Sequence, residues 1–196
     1  MKSKKNLRAV LLAICLHSAC SIAAQTKYDV PENVIKLSYG PAVVTSNVYS
    51  DKGIYGNLSA MNLELEYSHF WQNRWGLGVQ VLQSHFDIDD EADCMNLFYA
   101  GPSVSCSYGT DKNWLWHITA SAGYANWDDR GESHSGIGTT MKLGVDYMIG
   151  RHIGVGAEAT SLMSWFKKPK NWHELHHDES FGVRQKGLSI NLKVFL

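Results

Sequence analysis

No stretch of this 196-residue chain is apolar for long enough to cross a bilayer as a helix, which takes about 18 residues or more. Helical spanning is therefore excluded. Prolines number only four, so no proline-rich linker divides the chain, and its length fits one domain. Charge of neither sign dominates: 18 basic residues face 19 acidic ones, for a net charge of −1. Nothing in that balance suggests a nucleic-acid partner. Cysteines are also few. Cys15 and Cys20 fall in the N-terminal segment, leaving Cys94 and Cys106. If those two share one extended strand they lie about 40 Å apart, far beyond the roughly 7 Å limit for a disulfide. No disulfide framework is expected.

What is present begins with an export signal. Lys2, Lys4, Lys5 and Arg8 precede the apolar Ala9 to Leu16, and small residues follow through Ser21, Ala23 and Ala24. This reads as a secretory signal over 1–24, cleaved near Ala23 or Ala24. Its removal takes four positive charges from −1 and leaves −5 on residues 25–196. Cys20 is a poor lipoprotein anchor, because His17 stands where such signals carry an apolar residue.

The C-terminal stretch sets the reading of the rest. Leu188, Ile190, Leu192, Val194 and Leu196 alternate with Ser189, Asn191, Lys193 and Phe195. Except at Phe195, this is the period of a strand with one apolar and one polar face. The alternation runs to the final residue, as expected for a strand that closes a barrel and leaves no edge in the membrane. Seven earlier stretches repeat the pattern: 33–44, 58–70, one from Trp75, one through Phe98 to Cys106, one from Trp114, 137–147 and 153–163. Each keeps an apolar face for about ten residues, close to the span of a bilayer by a tilted strand. The connections alternate long and short, which assigns 45–57, 87–92, 128–136 and 167–183 to the outside as loops and the short turns to the periplasm. Tyr67, Trp75, Trp114, Trp116 and Tyr147 fall at turn ends, and Trp127, Trp165 and Phe166 at loop ends. Two aromatic girdles are expected from these. Pro41 and Pro102 each follow a glycine inside a strand, where a bulge or kink is expected because proline cannot complete the ladder.

The expected fold is all-β: an eight-stranded antiparallel up-and-down transmembrane barrel filling 25–196 as a single domain. In this pattern the chain resembles the small eight-stranded outer-membrane barrels of bacteria. Its last strand is similar to the assembly signal of that group, although the aromatic Phe195 precedes rather than ends the chain. The resemblance implies residence in the outer membrane, contact with outer-membrane lipid, handling by the barrel-assembly machinery, and an extracellular ligand for the loops. A monomer with no cofactor is expected. A secreted lipocalin-like barrel, apolar inside and polar outside, fits less well with small and charged residues on the minor face.

Three sets of residues carry possible chemistry. The polar face holds Lys36, Glu64, Glu66, His117, Lys142, Asp146, Glu158 and Lys193. They read as a structural network, since a buried unpaired charge costs several kcal/mol and eight strands leave an interior just wide enough for side chains. Water-lined, the same charges would make a narrow porin-like pore. The second set is His173-Glu174-Leu175-His176-His177. On a helix His173 and His177 would share a face and could hold a metal with Glu179 or Asp178, but in a loop of this length a solvated polar segment is the plainer reading. The third concerns lipid-modifying barrels, which pair a hydroxyl nucleophile with histidine. His85 and Ser161 face lipid but lie on strands that are not neighbours, and His117-Ile118-Thr119 points inward. The reading is a non-enzymatic barrel, with a loop metal site, a lipid-modifying enzyme and a narrow pore as alternatives. Calorimetry with zinc at neutral pH tests the loop. A real site shows one equivalent that the His173→Ala/His177→Ala variant loses; equal binding by both leaves only the solvated segment.

Overall fold

The computed structural model describes residues 32–46, 48–50, 53–55, 58–71, 74–87, 95–109, 113–129, 132–168 and 181–196. Along each long strand burial alternates residue by residue, as in β1 (Asn33–Val44), where Lys36, Ser38 and Ala42 are buried while Leu37, Tyr39 and Val43 are exposed. A chain with that period gains by presenting its apolar residues to lipid only if no strand is left with an open edge. Closure meets the condition. Strands β4 (Ser59–Phe70), β5 (Trp75–Asp87), β6 (Met95–Gly109), β7 (Trp114–Asp129), β8 (Glu132–Met148), β9 (Ile153–Phe166) and β10 (Gly182–Phe195) follow β1 around an antiparallel barrel, and β10 returns to pair with β1. In that seam Val34 lies opposite Phe195 and Lys36 opposite Lys193. The Leu196 amide donates to the Asn33 carbonyl at 2.9 Å, and the Phe195 amide to the His152 carbonyl at 2.9 Å.

The outward face carries Leu63, Leu65, Leu77, Val79, Leu143, Val155 and their neighbours, all exposed and all apolar. At the turn end Tyr67, Trp75, Trp114 and Tyr147 are exposed, with Trp114 edge-on to Tyr147 at 5.1 Å. This is one aromatic girdle. The other differs from expectation. Trp165 is outward, but Trp127 is fully buried and Phe166 nearly so. Both have the parity of the inward residues on their strands, and both pack inside the barrel.

The interior is layered. At the loop end Leu82, Phe86, Met95, Leu97, Trp127 and Phe181 form part of a large apolar cluster, in which Phe86 meets Trp127 edge-on at 5.1 Å. At the turn end Val34, Phe70, Leu115, Met148 and Phe195 form a smaller one. Polar and charged side chains fill the space between.

Further expectations are corrected. Residues 128–129 and 132–136 are strand, not loop: β7 runs to Asp129, β8 starts at Glu132, and pairing continues through Asp129 opposite Glu132. The hairpin continues past the apolar stretch, where the outward face needs no apolar residue, so its Gly/Ser/Asp composition resembled a loop. The segment 45–57 carries a small hairpin, β2 (Val48–Ser50) with β3 (Gly53–Tyr55), and β10 begins at Gly182, inside the stretch read as the last loop. Finally, neither proline makes a bulge. The register of β1 against β10 is unchanged on the two sides of Pro41, but no pair forms between Tyr39 opposite Ile190 and Ala42 opposite Gly187. Likewise β6 against β7 skips from Ala100 opposite Tyr124 to Ser103 opposite Ser121. Each proline interrupts the ladder on one side only, while Pro41 still lies opposite Met61 and Pro102 opposite Val79 on the other. Gly40 permits the close approach beside the first gap: a Cβ there would lie 2.2 Å from the Leu188 carbonyl oxygen.

Residues 1–24, Cys94 and the stretch 173–179 lie outside the described residues. The long connections after β1 and β9 are expected on the outside, opposite the short turns after β4, β6 and β8. In a Cys94→Ser/Cys106→Ser background, single cysteines at Thr45, Glu132 or Lys168 are expected to react with an impermeant thiol reagent on intact cells. Cysteines at Asn113 or Arg151 are expected to stay unlabelled until the envelope is opened; the reverse pattern would invert the barrel.

Candidate functional site

All eight polar-face residues singled out in the sequence point into the barrel and are buried. They come from β1, β4, β7, β8, β9 and β10, so the site exists only when the barrel is closed. Two clusters share one hub. In the first, Lys36 lies 2.8 Å from Glu66 and 3.7 Å from Glu64. Lys142, reaching across the barrel from β8, bonds to both of the same glutamates. Two lysines thus face two glutamates in a four-membered ring of charge. Ser68 and Ser105 donate to Glu66 Oε1 at 3.1 and 3.4 Å.

The hub is Glu158 on β9. Its Oε2 accepts from Lys36 Nζ at 2.7 Å and lies 3.2 Å from His117 Nε2; its Oε1 accepts from Ser38 Oγ at 2.9 Å. The second cluster begins at His117. Its Nδ1 lies 3.0 Å from Asp146 Oδ2, which also accepts from Lys193 Nζ at 2.6 Å. Both ring nitrogens of His117 thus face carboxylate oxygens. Lys193 Nζ also lies 3.0 Å from His117 Nδ1, so three lysines and His117 share four carboxylates, Glu64, Glu66, Asp146 and Glu158.

Lys36 and Lys193 lie directly opposite on adjacent strands, where side chains of like charge repel. The network separates their carboxylate partners: Lys36 goes to Glu64, Glu66 and Glu158, and Lys193, which also meets His117 Nδ1, goes to Asp146. The absence of a side chain at Gly144 makes this arrangement possible. A Cβ there would lie 2.3 Å from His117 Cε1 and 2.5 Å from Nε2, on a ring held from both sides.

Above the charges a neutral layer continues the packing. Gln80 Nε2 donates across to Thr140 Oγ1 at 2.6 Å, and Gln185 Nε2 to Ser84 Oγ at 2.9 Å. The cavities left beside the charges measure about 10 Å³ each.

Sequence reading missed the apolar cluster at the loop end. A signal for it exists. Val81-Leu82, Leu97-Phe98, Leu162-Met163 and Trp165-Phe166 are apolar doublets near the loop ends of their strands. A doublet means that both faces are apolar there, hence that the interior is apolar too. The His173/His177 motif, with Glu179, is not among the described residues. His85 and Ser161 do not come together: they lie on β5 and β9, with β6, β7 and β8 between them, and His85 Nδ1 is 2.9 Å from Asn96 Oδ1.

A closed eight-stranded barrel with lipid-facing apolar residues matches what comparison finds. The family model described as outer membrane protein beta-barrel domain matches residues 12–194. The chain belongs to this family. It is a transmembrane β-barrel of the bacterial outer membrane, and several solved structures share its fold. Neisserial surface protein A (NspA) is 15% identical with a TM-score of 0.61, over 84% of this chain and 97% of that one. Ail, the attachment invasion locus protein of Yersinia pestis, is 15% identical with a TM-score of 0.50, over 84% and 98%. OprG of Pseudomonas aeruginosa is 12% identical with a TM-score of 0.50, over 85% and 97%. At these identities the likeness concerns the fold alone. No curated protein sequence matches the chain.

In this outer-membrane barrel Glu64 and Glu66 back each other up. Removing either leaves Lys142 one carboxylate, whereas removing both leaves it none. Losing the partner of a buried charge costs about 3–5 kcal/mol. Glu64→Ala or Glu66→Ala alone is therefore expected to cost less than that figure, and the double variant more than the sum of the singles. Urea unfolding in lipid, followed by the mobility shift of the folded barrel, measures all three; strict additivity would mean that the lysines do not share these partners.

Proposed function

We propose that the protein is a closed, non-enzymatic and non-conducting barrel, whose work is done at the external loops as a binding surface or as a structural part of the envelope. The observation that carries this reading is the filled interior. Among the described residues, apolar clusters occupy both ends of the barrel, the charges between them are paired, and the residual cavities are of about 10 Å³. A conducting pore needs a continuous water-filled path, and the packing of the described residues supports a closed interior instead. The same pairing bears on catalysis. His117 is enclosed between Asp146 and Glu158, away from lipid, and the lipid-facing His85 and Ser161 have three strands between them. The rigid wall then serves to hold the loop ends of the strands at fixed spacing, which suits presentation of loops to a partner outside the cell.

Planar bilayers test the reading. Wild-type protein, shown by heat-dependent mobility to be folded, is expected to give no steady conductance. A stable ohmic channel would mean that the interior charges line water, and would replace the binding-surface reading by a pore.

A further inference from the structure

On the outer wall one face departs from the even covering of large apolar side chains. Along β9 the outward residues Ala157 and Ala159 are small, and each is flanked in register by larger ones. Ala159 lies between Leu188 on β10 and Leu143 on β8, and Ala157 between Ile190 and Val145. Leu188 and Ile190 stand out from the wall, 68% and 72% exposed. The result is a trough with an alanine floor, made of two hollows of about 820 and 610 Å³ that share Pro41, Leu143, Ala159 and Leu188. Its lining is almost wholly apolar. From Ser161 to Ala157 it follows about 13 Å of strand, room for part of one acyl chain.

The loop end of the trough is different. There Ser161 lies opposite Lys186, and the next outward pair is Met163 with Arg184. Arg184 and Lys186 are both exposed and are the only lysine or arginine side chains facing outward from the described barrel strands; Lys36, Lys142 and Lys193 all point inward. Neither makes an ion pair with a described residue. A Lys or Arg on the lipid face is costly at mid-membrane and tolerated near the interface. Two adjacent cations beside the outward Trp165 therefore fit the headgroup level, and an anion there would remove their mutual repulsion.

We propose that this trough is a docking site for a phosphorylated, acylated glycolipid of the outer leaflet. One acyl chain lies over Ala157 and Ala159 between the Leu188/Ile190 and Leu143/Val145 ridges, and a headgroup phosphate sits between Arg184 and Lys186. Charge complementarity selects the anionic lipid, and the alanine floor gives it a seat that a uniform wall lacks. The site is independent of the barrel interior and of whatever the loops bind.

The test uses the folded barrel in phosphatidylcholine nanodiscs doped with lipid A, dephosphorylated lipid A or phosphatidylglycerol, with retained lipid counted by mass spectrometry. Wild type is expected to retain lipid A above the other two. Arg184→Gln/Lys186→Gln is expected to weaken retention about thirtyfold, since each of the two basic residues near an anionic surface contributes about one kcal/mol. Ala159→Phe fills the trough without touching charge and is expected to weaken it as well, and folding of each variant is checked by heat-dependent mobility. Undiminished retention by the charge variant or by Ala159→Phe overturns the proposal. Equal retention of the dephosphorylated lipid overturns the phosphate contact, and equal retention of phosphatidylglycerol reduces the site to general attraction for anionic lipid and overturns the glycolipid assignment.

Discussion

Every backbone amide and carbonyl that enters hydrocarbon must find a partner within the protein, because lipid supplies none. For a chain without a long apolar helix this requirement leaves one solution, a sheet joined to itself. The seam between β1 and β10 is where the requirement is met, from Val34 opposite Phe195 up to Val44 opposite Gln185. Once the sheet closes, period-2 alternation acquires its meaning: one parity faces lipid, and the other faces a space that eight strands make just wide enough for side chains. The two proline interruptions are tolerable in this frame. Each removes pairing on one flank and keeps it on the other, so the ring is thinned locally and never cut.

The enclosed space is filled in an order that makes electrostatic sense. Charges in the middle are shielded from water by apolar clusters at both ends. Keeping water out lowers the effective dielectric constant, which strengthens each attraction and equally raises the penalty for any charge left alone. Such a core tolerates ionic groups only as a complete set. Glu158 joins the two halves of that set, since it is the one carboxylate bonded to both Lys36 and His117.

The fold was legible because membrane strands announce themselves by period and by the length of the connections, and Asn33–Val44 or Trp75–Asp87 could be delimited almost to the residue. Legibility failed where the environment changed along a strand. Beyond the bilayer, Asn126, Asp128, Ser133 and Ser135 may be polar on the outer face without disturbing the pairing, so the tip of the β7–β8 hairpin looked like loop. Trp127 and Phe166 looked like girdle because aromatics near strand ends usually are; their parity, which places them inside, was the better guide. The identities of the interior charges could be read from alternation alone. Their partners could not: Lys193 is held by Asp146 rather than by Glu64 or Glu66, a choice set by barrel tilt and side-chain reach, which no spacing along the chain encodes.

The position of Lys36 against Lys193 bears on how the molecule is put together. These residues are separated by most of the chain, and the seam that joins them has the largest loop-closure entropy to overcome. Near its turn end two ammonium groups are brought side by side, an unfavourable meeting unless Glu64, Glu66, Asp146 and Glu158 are already in place on β4, β8 and β9. The final zippering step thus inspects the rest of the wall. A barrel with a strand out of register would present the wrong side chains to these lysines, and its two ends would repel instead of locking.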